Sequence, residues 1–137
     1  MPCHYTIHKA QHLVVTRAVG MVTFQEMKDH QKRLRSDPEF KPEFNQLIDA
    51  TSATAEDLTR SGAQELTQGN IFSVTSKRAL VATQPAIFGM GRLLLTYLEM
   101  SEKPSKTHAF YELAHALKWL GVDSMPTPLN THEEPSP

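Results

Sequence analysis

The stretch that decides the fold is Leu47-Ile48-Asp49-Ala50-Thr51-Ser52-Ala53-Thr54-Ala55-Glu56-Asp57-Leu58. An apolar run, predicted to be a strand, ends there at Asp49, and a turn rich in hydroxyl side chains then opens a predicted helix. In open α/β sheets, ligands and partners bind at the carboxyl ends of strands. We therefore expect the functional surface of this chain at the Asp49 junction.

The rest of the sequence predicts a mixed α/β sheet of about five strands with about four helices. Two β-rich runs, Tyr5 to His8 and Leu13 to Val19, predict an N-terminal β-hairpin that Gly20 closes. Strands alternating with helices then require crossover connections and a largely parallel arrangement. The later elements are expected in this order: helix Thr23 to Ser36, strand Gln46 to Ala50, helix Thr54 to Gln68, strand Lys77 to Thr83, helix Pro85 to Met100, strand Lys106 to Phe110 and helix Glu112 to Leu120.

Length and composition predict one domain and a short tail. A chain of 137 residues has the size of one ordinary domain, and we place that domain at residues 1–122. Residues 123–137 contain four prolines and no apolar periodicity, so they cannot bury enough surface to fold. We expect this tail to be disordered.

The charge, the cysteine count and the hydropathy of the sequence argue against a nucleic-acid partner, an intramolecular disulfide and membrane insertion. The formal net charge is -1, which gives no electrostatic reason to expect a nucleic-acid partner. The sole cysteine, Cys3, excludes an intramolecular disulfide. No apolar run reaches about 18 residues, so we expect no membrane insertion. Together these features favour a cytoplasmic protein.

A set of short motifs resembles one known family, with matching order and spacing between Tyr5 and Gly121. The chain is similar to the SpoIIAA-like fold of the STAS group (sulphate transporters and anti-sigma-factor antagonists), and most to its uncharacterised bacterial branch. The resemblance implies a SpoIIAA-like domain with a non-catalytic regulatory or protein-interaction role. The motifs are Gly20, Asp37-Pro38-Glu39-Phe40, Asp49, Ala79 to Ala82, Phe88-Gly89-Met90-Gly91-Arg92, Phe110 and Trp119-Leu120-Gly121.

The resemblance also bears on a phosphorylation switch. In antagonists of this family, a serine just after an aspartate at the start of the second helix is phosphorylated. Asp57 matches that aspartate, but Leu58 stands where the serine would be, so the resemblance implies a module without the phospho-switch serine. Ser52, Thr54 and Thr59 are the remaining candidate phosphate acceptors, because negative charge is favoured near a helix N-terminus.

The candidate ligand or partner surface combines the junction with one cation on the next helix. Its polar residues also fit a simpler reading as turn and cap residues, whose side chains bond nearby backbone. The two glycines before Arg92 fall inside a predicted helix, which favours close helix packing over an anion site. The members of the surface are Asp49, Thr51, Ser52, Thr54, Asp57, Thr59 and Arg92.

The helix from Pro85 to Met100 is apolar on more than one face. It is expected either to be buried between the sheet and a neighbouring element, or to form a homodimer face or the lid of an apolar pocket. The pocket leads to an alternative function, a binding or carrier protein for a small lipophilic or anionic ligand. The resemblance supports that alternative, because the same fold occurs in lipid-binding domains.

An enzyme is the third expectation. The opening Met1-Pro2-Cys3 resembles tautomerase-like enzymes, which use an N-terminal proline amine, but a second strand follows where a helix should. We identify no catalytic residues and expect no cofactor, because no acid/base pair, nucleophile or cofactor motif fits its context. His4, His8 and His12 recur every four residues but fall in a hairpin, so we expect no metal site.

Overall fold

The computed structural model describes residues 3–55, 60–101 and 106–122. They form one five-stranded sheet in the order β1-β2-β3-β4-β5. Strand β1 runs antiparallel to β2, and the other neighbouring strands are parallel. A short 3-10 helix, Lys9–Gln11, joins β1 to β2. The strands are β1 Cys3–His8, β2 Leu13–Val22, β3 Asn45–Ala55, β4 Lys77–Val81 and β5 Lys106–Phe110, and the helices are α1 Phe24–Arg35, α2 Arg60–Gln68, α3 Pro85–Glu99 and α4 Leu113–Leu120.

The predicted fold class is confirmed, including the hairpin and the parallel crossovers. The start of α1 follows from the sequence, because Glu26 N donates to the Thr23 hydroxyl while Thr23 N donates to the Glu26 carboxylate. This capping box satisfies two backbone donors that a helix start would otherwise leave free. At the other end of the fold, Gly121 ends α4 in the left-handed region at φ 82°, as its position predicted.

The helices divide between the two faces of the sheet. Helices α1, α2 and α3 lie on one face, where Leu34 packs near Val14 and Leu95 packs near Leu80. Helix α4 lies on the opposite face, where Leu117 packs against Leu47. Successive strand side chains point to opposite faces, so each strand contributes to both layers. None of the helices in the described residues is long and apolar enough to span a bilayer.

The prediction for the Asp49 junction was wrong in its local structure. The strand does not end at Ala50; β3 continues to Ala55, and α2 begins at Arg60 rather than near Thr54. The reason is that β2 also runs further than predicted, to Val22. Gly20 therefore lies within β2, at φ 72°, and does not close it. The extended β2 supplies a partner for β3.

A β-bulge explains why this part of β3 resembles a turn. Arg17 pairs with Asp49, but Val19 pairs with Ser52, so β3 carries one more residue than β2 across this interval. A bulge leaves backbone groups outside the regular ladder. The Asp49 carboxylate accepts from the backbone N–H of Thr51 at 3.1 Å and from its hydroxyl at 2.7 Å. Asp49 and Thr51, which suggested a turn before a helix, are thus bonded to each other within the bulge.

Helix α3 is buried on two faces inside the chain. One face packs on the sheet through Ile87, Gly91, Leu95 and Leu98. Another carries Met90, Leu94 and Tyr97, which pack with Leu66 of α2 and Phe24 of α1. No large apolar side chain of α3 is exposed. The helix is therefore buried, as one alternative predicted; it also lines an apolar pocket, and a homodimer through this helix stays a prediction.

Candidate functional site

The surface expected from the sequence is only partly assembled. Asp49, Thr51, Ser52 and Thr54 all lie on β3, and the last three are exposed. Arg17 Nε lies 3.8 Å from Asp49 Oδ2, but the Arg17 side chain is mostly exposed, so this ion pair adds little stability. Both Asp49 oxygens thus interact with neighbours within the sheet.

The other expected members of that surface do not join it. Arg92 is exposed on α3, and none of the ion pairs among the described residues involves it. Asp57 and Thr59 lie outside the described residues, as do Pro2 and the tail of residues 123–137. Ser52 and Thr54 lie in a strand, so the helix N-terminus that favoured them as phosphate acceptors is not at their position.

A cavity lies elsewhere, between the sheet and helices α1, α2 and α3. Its volume is about 150 Å³, and most of its lining is apolar. Leu80 of β4 and Leu95 of α3 are among the lining side chains, together with Ala50 and Ala53 of β3. Thr54 is the one exposed residue among those described in the lining. Of the polar residues expected at the junction, Thr54 therefore lines the cavity, whereas Asp49, Thr51 and Ser52 do not.

Four polar residues of this cavity form a connected row from three strands to α1. Arg78 of β4 donates from Nε to Gln46 Oε1 at 2.9 Å. Gln46 of β3 donates from Nε2 to Thr16 Oγ1, also at 2.9 Å. The Thr16 hydroxyl of β2 lies 3.2 Å from Nε2 of His30, which α1 supplies. All four residues are buried and line the cavity.

Arg78, at one end of the row, carries its positive charge. Its Nη1 donates to Asn70 Oδ1 at 2.9 Å, and its guanidinium lies over the Phe72 ring at 4.4 Å from the centroid. Its hydrogen-bond acceptors among the described residues are thus neutral amides. Burial lowers the pKa of Arg78 to about 10, so the side chain is a cation at neutral pH. Among the residues described, no carboxylate forms an ion pair with it.

His30 at the other end of the row is neutral at physiological pH. Burial is the main cause, and the nearby positive charges of Arg33 and Arg78 add to it; together they lower the pKa of His30 from 6.5 to about 4. The Tyr5 ring meets the imidazole edge-on at 5.5 Å between centroids. A neutral imidazole can accept from Thr16 or donate to it, so the row ends in a group that adds no further positive charge.

Two further features concern metal binding and the cysteine. Among the described residues, no group of three His, Cys, Asp or Glu side chains lies close enough together to hold a metal ion. Cys3 is buried, and this burial raises the pKa of its thiol to about 11. The thiol is therefore protonated at neutral pH and a poor nucleophile.

Thr16, His30, Gln46 and Arg78 were not among the residues predicted from the sequence. Each looked like an ordinary strand or helix position, because polar residues also occur on solvated faces. A signal was present in Gln46 and Arg78, since both lie at the N-terminal ends of strands whose following residues are apolar. A polar residue aligned across two buried parallel strands predicts a shared polar contact. That inference needs the strand register, which pairs Gln46 with Arg78.

Comparisons with known proteins bear on the fold. No family model matches the chain, and no curated protein matches it. A solved structure of an uncharacterised protein from the DUF3478 family, with a SpoIIAA-like fold and from Shewanella loihica PV-4, is similar with a TM-score of 0.56. The two share 21% sequence identity over 86% of this chain and 93% of that chain. The chain therefore has a SpoIIAA-like fold, as the sequence resemblance predicted.

Proposed function

We propose that this protein binds a small ligand in the cavity between the sheet and helices α1, α2 and α3. The observation that carries the proposal is a largely apolar cavity of about 150 Å³ with a polar row at its wall. Binding sites for small molecules combine apolar walls with a few converging polar groups.

The volume limits the ligand. Drug-sized ligands occupy pockets of about 300–1,000 Å³, whereas a dry apolar cavity of about 150 Å³ holds a molecule the size of benzene. We therefore expect the buried part of the ligand to be one ring or a short branched chain. Such a protein is the binding or carrier protein that the sequence suggested as an alternative function.

Native mass spectrometry of the untagged, freshly purified protein tests this function. The expected result is a reproducible adduct that is lost on denaturation. The variant Ala53→Leu fills the cavity and should abolish the adduct, while Ala114→Leu makes the same change on the exposed part of α4 and should retain it. A protein without adduct that also fails to bind added benzene would contradict the proposal. Circular dichroism of both variants verifies that they fold.

A second candidate is a regulatory or protein-interaction module without the phospho-switch serine. The observation in its favour is a pair of exposed apolar side chains on β2, Val19 at 44% and Met21 at 54% exposure. They share one exposed face of β2 with Arg17, because residues two apart in a strand point the same way. Met21→Glu should abolish binding to a partner, or self-association measured by light scattering, without altering the cavity adduct.

A further inference from the structure

We propose that Arg78 is the anion-binding group of this cavity and that the ligand is a small monocarboxylate with an apolar body. This inference rests on the proposed function and names its ligand class. The observation behind it is that Arg78, a buried cation, lines an apolar cavity.

The Arg78 guanidinium has more donors than the described residues satisfy. A guanidinium carries five N–H groups, and Arg78 uses one on Nε for Gln46 and one on Nη1 for Asn70. Within the described part of the chain, no hydrogen bond involves Nη2. The residue as a whole is only 7% exposed, so little bulk water reaches it. A bound anion would satisfy these donors and neutralise the charge.

Burying an uncompensated charge is costly, and proteins usually offset it with a carboxylate partner. The two oxygens that Arg78 contacts belong to amides, and the Phe72 ring beneath it supplies only a cation–π contact. These contacts hold the guanidinium in place and add no negative charge. The missing negative charge is what a ligand would bring.

The chemistry around Arg78 favours a carboxylate over a phosphate ester. A guanidinium matches the two oxygens of a carboxylate with parallel N–H donors. A phosphate monoester carries close to two negative charges at neutral pH, but Arg78 is the one cationic side chain among the described lining residues, since His30 is neutral. A single buried cation balances a single negative charge.

The apolar body of the ligand would lie among the apolar side chains of the cavity. Leu80, Ile87 and Leu95 line the cavity and belong to one apolar cluster, which does not include Arg78. Burial of the ligand's ring in the cavity favours binding, because it removes apolar surface from water, and the carboxylate of the ligand would contact Arg78. Benzoate combines both features and fits the size limit, so it serves as the probe.

Isothermal titration calorimetry with benzoate and with uncharged benzyl alcohol tests the inference on the wild-type protein. We expect both to bind, with benzoate the tighter. Arg78→Met should weaken benzoate about tenfold or more, the loss expected for a charge-assisted hydrogen bond, and should leave benzyl alcohol nearly unchanged. Arg92→Met removes one exposed positive charge from α3 and should change neither affinity.

The outcomes separate the inference from the function on which it rests. Benzyl alcohol binding at least as tightly as benzoate, or equal benzoate losses in Arg78→Met and Arg92→Met, would overturn the role of Arg78 and leave the cavity function intact. Absence of binding by both probes would overturn both. If Arg78→Met fails to fold, the Nε–H nuclear magnetic resonance signal of wild-type Arg78 decides: benzoate should shift it and benzyl alcohol should not.

Discussion

Arg78 Nε and Gln46 Oε1 lie 2.9 Å apart on neighbouring parallel strands, and this bond determines the orientation of the Gln46 amide. Because Oε1 accepts from Arg78, Nε2 is free to donate to Thr16 Oγ1. The Arg78 cation at the end of the row therefore sets the direction of the hydrogen bond from Gln46 to Thr16. Removing any one member leaves a buried polar neighbour without its partner.

Gln46→Leu should lower the free energy of unfolding by about 1–3 kcal/mol, the cost of leaving buried polar groups unsatisfied. Both Arg78 Nε and the Thr16 hydroxyl lose a partner in this variant. Gln25→Leu is the matched control, because Gln25 is exposed and its side chain bonds, within the described residues, only to Asp29. Urea denaturation should show a change within about 0.5 kcal/mol for that control. Equal effects of the two substitutions would contradict the buried row.

Acid should destabilise the fold through His30. The unfolded chain binds a proton at His30 below about pH 6.5, whereas the folded chain does so only near its pKa of about 4. The free energy of unfolding therefore falls as pH decreases between these values, by about 3 kcal/mol in total for this group. His30→Gln should flatten that part of the stability profile measured by denaturation at several pH values. His115→Gln, on the exposed part of α4, should keep the wild-type acid sensitivity.

Two glycines of α3 should respond oppositely to alanine. A methyl group on Gly91 would overlap the Leu80 side chain, whereas nothing lies within 4 Å of one on Gly89. Gly89→Ala should stabilise by about 0.5–1 kcal/mol, because alanine is the better helix former. Gly91→Ala displaces Leu80, so it should be less stable than Gly89→Ala by about 1–3 kcal/mol. Leu80 also lines the cavity, so Gly91→Ala should weaken benzene binding as well.

The Asp49 carboxylate should stabilise the bulge in β3. Asp49→Ala removes the acceptor for the Thr51 backbone and hydroxyl and should cost about 1 kcal/mol in thermal or chemical unfolding. Asp49→Asn keeps a side-chain oxygen as acceptor and should recover most of that loss. An Asn variant as unstable as the Ala variant would show that the charge, through Arg17, matters more than the hydrogen bonds.

Most of the fold could be predicted because its signals are local. The capping box at Thr23 and Glu26, the proline that opens α3 and the glycine that ends α4 each act within one turn of a helix. The Asp49 region misled because threonine, serine and aspartate serve in caps, turns and bulges alike. Only the pairing with an extended β2 distinguishes these cases, and that pairing is not local.

The candidate site could not be predicted for a related reason. Arg78, Gln46 and His30 come from separate elements, and a cavity is defined by the space that packing leaves rather than by any residue type. Two glycines suggested close packing of the helix. Gly91 does pack closely, against Leu80, whereas Gly89 has no neighbour within 4 Å of an added methyl group. The sequence contains the helix, but which face meets the sheet depends on its rotation in the folded chain.

The most direct test of a ligand-binding cavity is a methyl-labelled nuclear magnetic resonance titration of the wild-type protein with benzene. The proposed function predicts saturable shifts for the methyl groups of Leu80, Ile87 and Leu95, which line the cavity. The methyl groups of Leu13, Leu47 and Leu117, on the α4 face, should move little. Shifts that are absent, or equally large on both faces of the sheet, would contradict the account.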